Sequence, residues 1–226
     1  MSETEPIADI TQRDVRVLLV DDHDLFRTGL RNLLEEQGVA IVGEAANGSE
    51  ALGFVREATP DVVIMDLHMP GMTGIDAIRH ISRDAPLTRV IVLTISDQEQ
   101  DVMDAILAGA CGYLLKDASI QDLMRGIRSA AVGESLISPH IAGKVLQHVR
   151  ATTAAPEAAA TIRAELSDRE IQVLKLIANG KDNAMIAGEL HISPKTVKNH
   201  ISNILMKLQI ENRIQAAVYA VRSGIV

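Results

Sequence analysis

Short continuous apolar runs recur along the first half of the chain, at residues 15–20, 40–45, 61–66, 89–94 and 111–116, with roughly two dozen residues from each start to the next. Runs this continuous suit strands buried on both faces, and intervals this long hold a crossover helix. The pattern therefore predicts repeated β-α units in a parallel sheet. The intervals carry the matching helical period: Phe26, Leu30, Leu33 and Leu34 fall at i, i+4, i+7 and i+8, one stripe that would pack on the sheet. Five such units predict a doubly wound, five-stranded α/β domain.

Residues 151–165 carry no large apolar side chain except Ile162 and read as a linker. Beyond them only helical periods appear. Ser167 and Glu170 form a capping box, with Leu166 and Ile171 at staple spacing, so a helix starts there. It carries Ile171, Leu174, Ile177 and Ala178 on one side and stops near Asn179-Gly180. A second short helix is predicted over 183–190. Ser193-Pro194 then supplies an N-cap and a proline at the first helical position, opening a third helix that runs to about Leu208. The predicted organisation is a tail at 1–13, an α/β domain at 14–134, a linker with room for a helix at 135–165, and a small all-α domain at 166–226.

A length of 226 residues suits two modest domains. A hydrophobic share of 47% and a charged share of 23% match a soluble protein. The N-terminal residues are polar and acidic rather than a signal peptide, and no apolar run approaches the roughly 20 residues that span a bilayer. A cytoplasmic protein without a membrane partner is expected. Cys111, the single cysteine, has no partner for an internal disulfide and reads as a buried, inert thiol. The net charge of -8 argues against nucleic acid until it is divided. From Leu166 onward eight basic side chains face five acidic ones, a balance of +3 that leaves -11 on the rest of the chain. A polyanion is thus admissible at the C-terminal end only.

The chemistry-bearing residues sit where the predicted strands end. Asp21 and Asp22 follow the first, while Asp66, Thr94 and Lys116 end the third, fourth and fifth. In a doubly wound sheet ligands bind outside the carboxyl ends of the strands, so these groups would share one crevice. Three carboxylates there repel one another and call for a hard divalent cation; oxygen ligands at this density suit Mg2+. A cation, a nucleophilic carboxylate, an ammonium and a hydroxyl are the parts needed to accept a phosphoryl group. Any one of these aspartates alone would be read as a helix cap or a solvated side chain; the coincidence of four strand ends carries the reading. His23 and His68 have no Cys or His partner at zinc spacing and are not taken as side-chain ligands.

The Asp21-Asp22 pair, the string from Asp66 through Met69-Pro70-Gly71 to Gly74, the hydroxyl of Thr94 and Lys116 together resemble the receiver domain of two-component response regulators, over about residues 14–134. The resemblance implies a flavodoxin-like fold, with Mg2+ held by Asp21, Asp22, Asp66 and the His68 backbone carbonyl. It implies Asp66 as phosphoacceptor, supplied by a sensor histidine kinase. Thr94 would move to bond the phosphoryl oxygen, Lys116 would pair with it, and Tyr113 would rotate inward as an aromatic switch. Ile95 departs from the family pattern, in which the residue after the hydroxyl is often small, and is expected to narrow access to the phosphoryl group.

In the third C-terminal helix Val197, Ile201, Ile204, Leu205 and Leu208 form a core stripe, while Lys195, Lys198, Asn199 and Ser202 line the other side with hydrogen-bond donors suited to a major groove. Such a face on an isolated helix would be ordinary solvated surface. Its place as the second helix of a helix-turn-helix, after His191-Ile192-Ser193, changes that. The string Leu166-Ser167-Asp168-Arg169-Glu170, then Asn183, Ile186-Ala187, Leu190 and residues 193–200, resembles the LuxR/NarL/FixJ-type DNA-binding domain. By that resemblance Lys198, Asn199 and Ser202 would reach base edges, and Lys195, Thr196 and Lys207 would contact phosphates. Ala184-Met185 stand where the family usually carries a charged pair, so one backbone contact is expected to be missing. Ala217, Val218 and Val221 resemble the segment that pairs two such domains, although their period equally suits a core. Aromatic residues make up 2% of the chain and Trp is absent, which leaves few stacking platforms for single strands or RNA.

The expected function is phosphorylation-controlled transcription regulation through a homodimer on double-stranded DNA, a role compatible with contact to RNA polymerase. The resemblance also implies a resting state with the recognition helix held against the receiver. Two other readings stand beside it: a phosphatase with an aspartate nucleophile, disfavoured because His68 stands where a second aspartate would be, and a constitutive DNA-binding protein with an idle receiver.

Overall fold

The structure is a computed structural model, and it describes residues 15–137, 141, 144–145, 166–210 and 212–225. The expected tail at 1–13 and the linker stretch at 151–165 lie outside the described residues. The five predicted strands are present: β1 (Arg16–Val20), β2 (Ala40–Ala45), β3 (Val62–Met65), β4 (Arg89–Thr94) and β5 (Gly112–Leu115). Between them run α1 (Asp24–Glu36), α2 (Gly48–Ala58), α3 (Gly74–Asp84) and α4 (Glu99–Ala108), and α5 (Ile120–Ala131) follows. A two-residue strand, β6 (Leu136–Ile137), pairs in parallel with β5, so the sheet continues past residue 134, where the sequence pattern ended the domain. A two-residue strand carries no period to read.

The order β2-β1-β3-β4-β5-β6 is entirely parallel. Successive strand residues point to opposite faces, and both faces are covered. Leu18, Val20, Val63, Met65, Val90, Val92 and Tyr113 pack with α2, α3 and α4, while Val17, Leu19, Val62, Ile64, Ile91, Leu93 and Leu114 pack with α1 and α5. One expectation fails in detail. Leu30 and Leu34 of α1 are buried and Phe26 is half-buried, but Leu33 is 49% exposed. The arc of α1 that meets the sheet is narrow enough to hold the 26-30-34 row and exclude its neighbour at i+7.

The C-terminal unit is α6 (Asp168–Ala178), α7 (Asn183–Leu190), α8 (Pro194–Leu208) and α9 (Arg213–Arg222). Ser167 accepts from Glu170 N while Glu170 reaches back to Ser167 N, the predicted capping box. Ser193 caps α8 with Pro194 in its first turn. Leu174, Ile177, Ile186, Val197, Ile201, Ile204, Ala216 and Ala220 form this unit's own core. Among the described residues no helix is long and apolar enough to cross a membrane.

Candidate functional site

β1 and β3 are neighbours, and the crossover after β1 runs to β2 while that after β3 runs the other way to β4, which opens a crevice at the carboxyl ends of β1 and β3. Asp21 follows β1 and Asp66 follows β3, and both are buried there. The loop after Asp66 is folded back tightly enough that Gly74 is obligatory: a Cβ on it would stand 2.1 Å from the Asp66 carbonyl oxygen and 2.8 Å from Leu67 Cα. Gly74 N–H donates to the Leu67 carbonyl (3.0 Å) and Asp66 N–H to that of Val20 (2.9 Å), which pins the loop at both ends. Asp66 Oδ1 accepts from Leu67 N at 2.7 Å. Its other oxygen meets Lys116 Nζ at 2.8 Å, and the same ammonium lies 2.6 Å from Asp21 Oδ2. Burial works against the Lys116 charge, but the bonds to Asp21 and Asp66 outweigh it and hold the ammonium's pKa above its ordinary value. The Phe26 ring beneath, 4.6 Å from Nζ, adds a cation-π contact.

Ligand atoms of Asp21, Asp22, His23 and Asp66 all lie within 4.8 Å of one another. Asp22 Oδ1 is buried and makes no aligned hydrogen bond, although His23 Nδ1 stands 2.9 Å away as an ion-pair neighbour. Three carboxylates against one ammonium leave two negative charges, which a divalent cation would cancel. The donor set therefore fits a hard, oxygen-seeking ion such as Mg2+. His23 enters this cluster, which the sequence reading did not expect. Its ring is 69% exposed and pairs with Asp21 and Asp22, and a hard ion favours their oxygens over its nitrogen. The His68 imidazole is turned toward α4, with Nε2 3.3 Å from Asp101 Oδ2.

Thr94 is fully buried at the end of β4, and its hydroxyl lies 3.5 Å from Ser96 N. Ile95, the expected obstruction, is 78% exposed, so its side chain stands largely in solvent. Tyr113 differs from expectation: instead of waiting outside, its ring is already buried in the core, and its hydroxyl donates to the Ser96 carbonyl at 2.9 Å. With both ring and hydroxyl satisfied, this conformation needs no inward rotation. Burial, and then the nearby Asp101 carboxylate, raise its pKa. A cavity of about 660 Å3, lined by Arg16, Thr59 and Leu87 among others, opens at the opposite edge of the sheet, away from this chemistry.

On α8, Lys195, Lys198, Asn199 and Ser202 are exposed and Thr196 is half-buried. Lys207 is engaged within its own unit, 2.7 Å from Glu170 Oε2, and so competes poorly for a phosphate in this conformation. Burial disfavours ionisation of Glu170, but Lys207 and the Ser167 bonds outweigh that and hold its pKa below the ordinary carboxylate range. Lys198 Nζ donates to the Val132 carbonyl at 2.6 Å, which sets the face expected to read DNA against the turn after α5. Further contacts join the two units. Asn183 Nδ2 donates to Glu134 Oε1 (2.7 Å), Asn212 Nδ2 to the Ala110 carbonyl (3.0 Å) and Gln215 Nε2 to the Ile106 carbonyl (2.9 Å). Ile214, Val218 and Val221 of α9 pack into the receiver-side core with Met103 and Ile106. Of the three residues expected to pair two copies, Val218 and Val221 thus face the α/β unit, whereas Ala217 is half-buried against its own unit's core. The resemblance implied only that the third C-terminal helix is held against the α/β unit; the contacts of α9 with α4 carry no local sequence signal.

Comparison with known proteins agrees with the geometry. Residues 17–128 match the response regulator receiver domain and residues 164–220 the bacterial regulatory proteins of the luxR family. The chain is 44% identical to the transcriptional regulatory protein LiaR of Bacillus subtilis, over 94% of this chain and 99% of that protein. It is 36% identical to the nitrate/nitrite response regulator protein NarL of Escherichia coli, over 92% and 95%. Among solved structures it is similar to the response regulator ChrA of a heme-sensing two-component system (34% identity, TM-score 0.52, 94% of this chain and 99% of that one). It is also similar to the response regulator RcsB in complex with DNA (27% identity, TM-score 0.55, 95% and 100%). With both halves matched in order and relatives covered almost end to end, the chain belongs to the two-component response regulators of the NarL/FixJ type, in which a receiver is joined to a LuxR-type helix-turn-helix DNA-binding domain.

Proposed function

We propose that Asp66 accepts a phosphoryl group from the phosphohistidine of a sensor kinase, and that this event releases the DNA-binding unit from the receiver. The observation that carries the reading is the Lys116 ammonium held between Asp21 and Asp66, beside a buried Asp22 oxygen that makes no aligned hydrogen bond. Asp21, Asp22, Asp66 and the His68 carbonyl would hold Mg2+, which when bound supplies charge neutralisation for phosphoryl transfer. Lys116 holds the Asp66 carboxylate in place and then pairs with the new phosphoryl oxygens. Phosphorylation adds about -1.5 to -2 charges and three strong acceptors, and the buried Thr94 hydroxyl is the nearby donor two residues before Ser96.

The conformation described is the resting one in this reading. The groove-reading face needs to enter a channel about 12 Å wide, and the turn at Val132 and Gly133 stands against Lys198. Once α9 leaves the receiver, Val218 and Val221 become free to pair two copies, and Lys195, Thr196, Lys198, Asn199 and Ser202 reach double-stranded DNA. Lys207 joins them only by giving up Glu170. The protein then acts on transcription in the cytoplasm, directly or through RNA polymerase, and is no multiple-turnover phosphatase. The test is incubation of wild-type and Asp66→Asn protein with Mg2+ and acetyl phosphate, followed by intact-mass analysis and DNA-affinity measurement. Wild type should gain an acid-stable, base-labile phosphoryl group and bind DNA more tightly; equal behaviour of the two proteins overturns the proposal.

A further inference from the structure

Between the phosphoryl site and the DNA-binding unit lies a polar network centred on Ser96 and Asp101, two residues to which the receiver resemblance gave no role. Ser96, nearly buried, is held from three sides: Tyr113 of β5 donates to its carbonyl (2.9 Å), its own hydroxyl donates to Asp101 Oδ2 of α4 (2.5 Å), and Gln98 N donates to its Oγ (3.3 Å). The Asp101 oxygen also meets His68 Nε2, so one carboxylate ties the loop after β4 to α4 and to the loop after Asp66. An acid in the first turn of a helix ordinarily serves the helix's own N–H groups. Asp101 instead directs these bonds to side chains on two loops that flank the phosphoacceptor.

We propose that Asp101 is a positioning residue for the phosphorylation switch, acting through Ser96 on Thr94. The inference rests on Asp66 being the phosphoacceptor. Thr94 ends β4 and Ser96 lies two residues on, so a Thr94 hydroxyl drawn toward a phosphoryl group drags Ser96 with it. Ser96 cannot shift without either losing its short charge-assisted bond or pulling the first turn of α4 along. At the other end of α4, Gln215 of α9 holds the Ile106 carbonyl and Asn212 holds that of Ala110. The ten residues of α4, about 15 Å long, thus connect the switch loop at one end to the DNA-binding unit at the other. Lys144, 2.8 Å from Asp97 Oδ2, ties the segment after β6 to the same loop.

The experiment measures the ratio of DNA affinities with and without beryllofluoride, in Mg2+, for full-length wild type, Asp101→Ala, Asp101→Asn, Ser96→Ala, Ser96→Thr and Asp104→Asn. The probe is a duplex selected from random sequence by wild type with beryllofluoride, and phosphoryl uptake and half-life at Asp66 are followed in parallel. Asp101→Ala and Ser96→Ala should lose at least about five-fold of the ratio, the lower end of ordinary coupling factors, with phosphoryl uptake unchanged. Ser96→Thr keeps the hydroxyl and should keep the ratio. Asp104→Asn alters an α4 carboxylate that accepts from Gln100 of the same helix, without touching Ser96, and should also behave as wild type. Asp101→Asn keeps size and an acceptor oxygen, so it reports on the charge if the alanine variant fails to fold. Variants that respond to beryllofluoride as fully as wild type overturn this inference alone. A wild type that ignores beryllofluoride overturns it together with the proposed function.

Discussion

Replacing Gly74 by alanine is the sharpest test of the loop that carries Asp66. The added methyl would lie 2.1 Å from the Asp66 carbonyl oxygen and 2.8 Å from Leu67 Cα. Ordinary carbon-to-oxygen contact is about 3.3 Å or more, so the overlap exceeds 1 Å and is with backbone on both counts. No side chain can rotate away to relieve it. The backbone there is also fixed by the bonds from Gly74 N to Leu67 O and from Asp66 N to Val20 O. Overpacking against yielding neighbours costs about 1–3 kcal/mol, and this rigid case belongs at the upper end, about 3 kcal/mol. At about 4 °C per kcal/mol for a domain of this size, the receiver should melt about 12 °C lower. Phosphoryl uptake should fall further than stability alone explains, because the displaced carbonyl belongs to Asp66 itself. Gly29, exposed in α1 with nothing within 4 Å of where a methyl would stand, is the counterpart. The same substitution there should stabilise by about 0.5–1 kcal/mol through helix propensity. Calorimetry of the two variants checks both signs. A Gly74→Ala protein that melts with wild type and accepts phosphate normally would refute the geometry given for the site.

Four further outcomes follow from named contacts. Glu170 has its pKa depressed in the folded state, so its contribution to stability is present above the ordinary carboxylate value of about 4.3 and fades as pH falls through the lower folded value. Glu170→Gln should destabilise the DNA-binding unit by about 1–3 kcal/mol at pH 7 and converge with wild type in acid, as read by thermal melts at several pH values. Glu134→Ala removes the receiver's partner for Asn183. A bond worth about 1–2 kcal/mol then leaves the closed state, so unphosphorylated protein should bind DNA roughly 5- to 30-fold more tightly while phosphorylated protein is unchanged. Lys195→Ala should weaken binding to all duplexes alike and reduce the slope of log affinity against log salt by about 1. Burial pushes the Cys111 thiol up to about 12, so the native protein should resist thiol reagents at neutral pH and react only on unfolding; rapid native labelling would contradict the burial.

What the sequence determined by itself was everything encoded locally or by period. Continuous apolar runs located the five main strands, because both faces of a parallel sheet are covered and each strand must be apolar throughout. The capping box at Ser167 and the Ser193-Pro194 start were legible because a cap satisfies backbone groups within three residues. Asp21, Asp66 and Lys116 could be gathered into one crevice from sequence alone, since parallel topology brings every strand's carboxyl end to the same edge. The tertiary structure decided what depends on contacts between distant residues. The bonds from Asn183 to Glu134 and from Gln215 to Ile106 span 49 and 109 positions, and amide side chains of this kind carry no pattern that names a partner. Val218 and Val221 read equally well as core or as a pairing surface; only the packing of α9 on α4 shows that, in this conformation, they cover the receiver. Tyr113 turned inward, Lys207 claimed by Glu170 and Asp101 reaching Ser96 are likewise choices among partners of similar chemistry. Such choices follow from where the backbone places the groups in three dimensions, which periodicity along the chain does not encode.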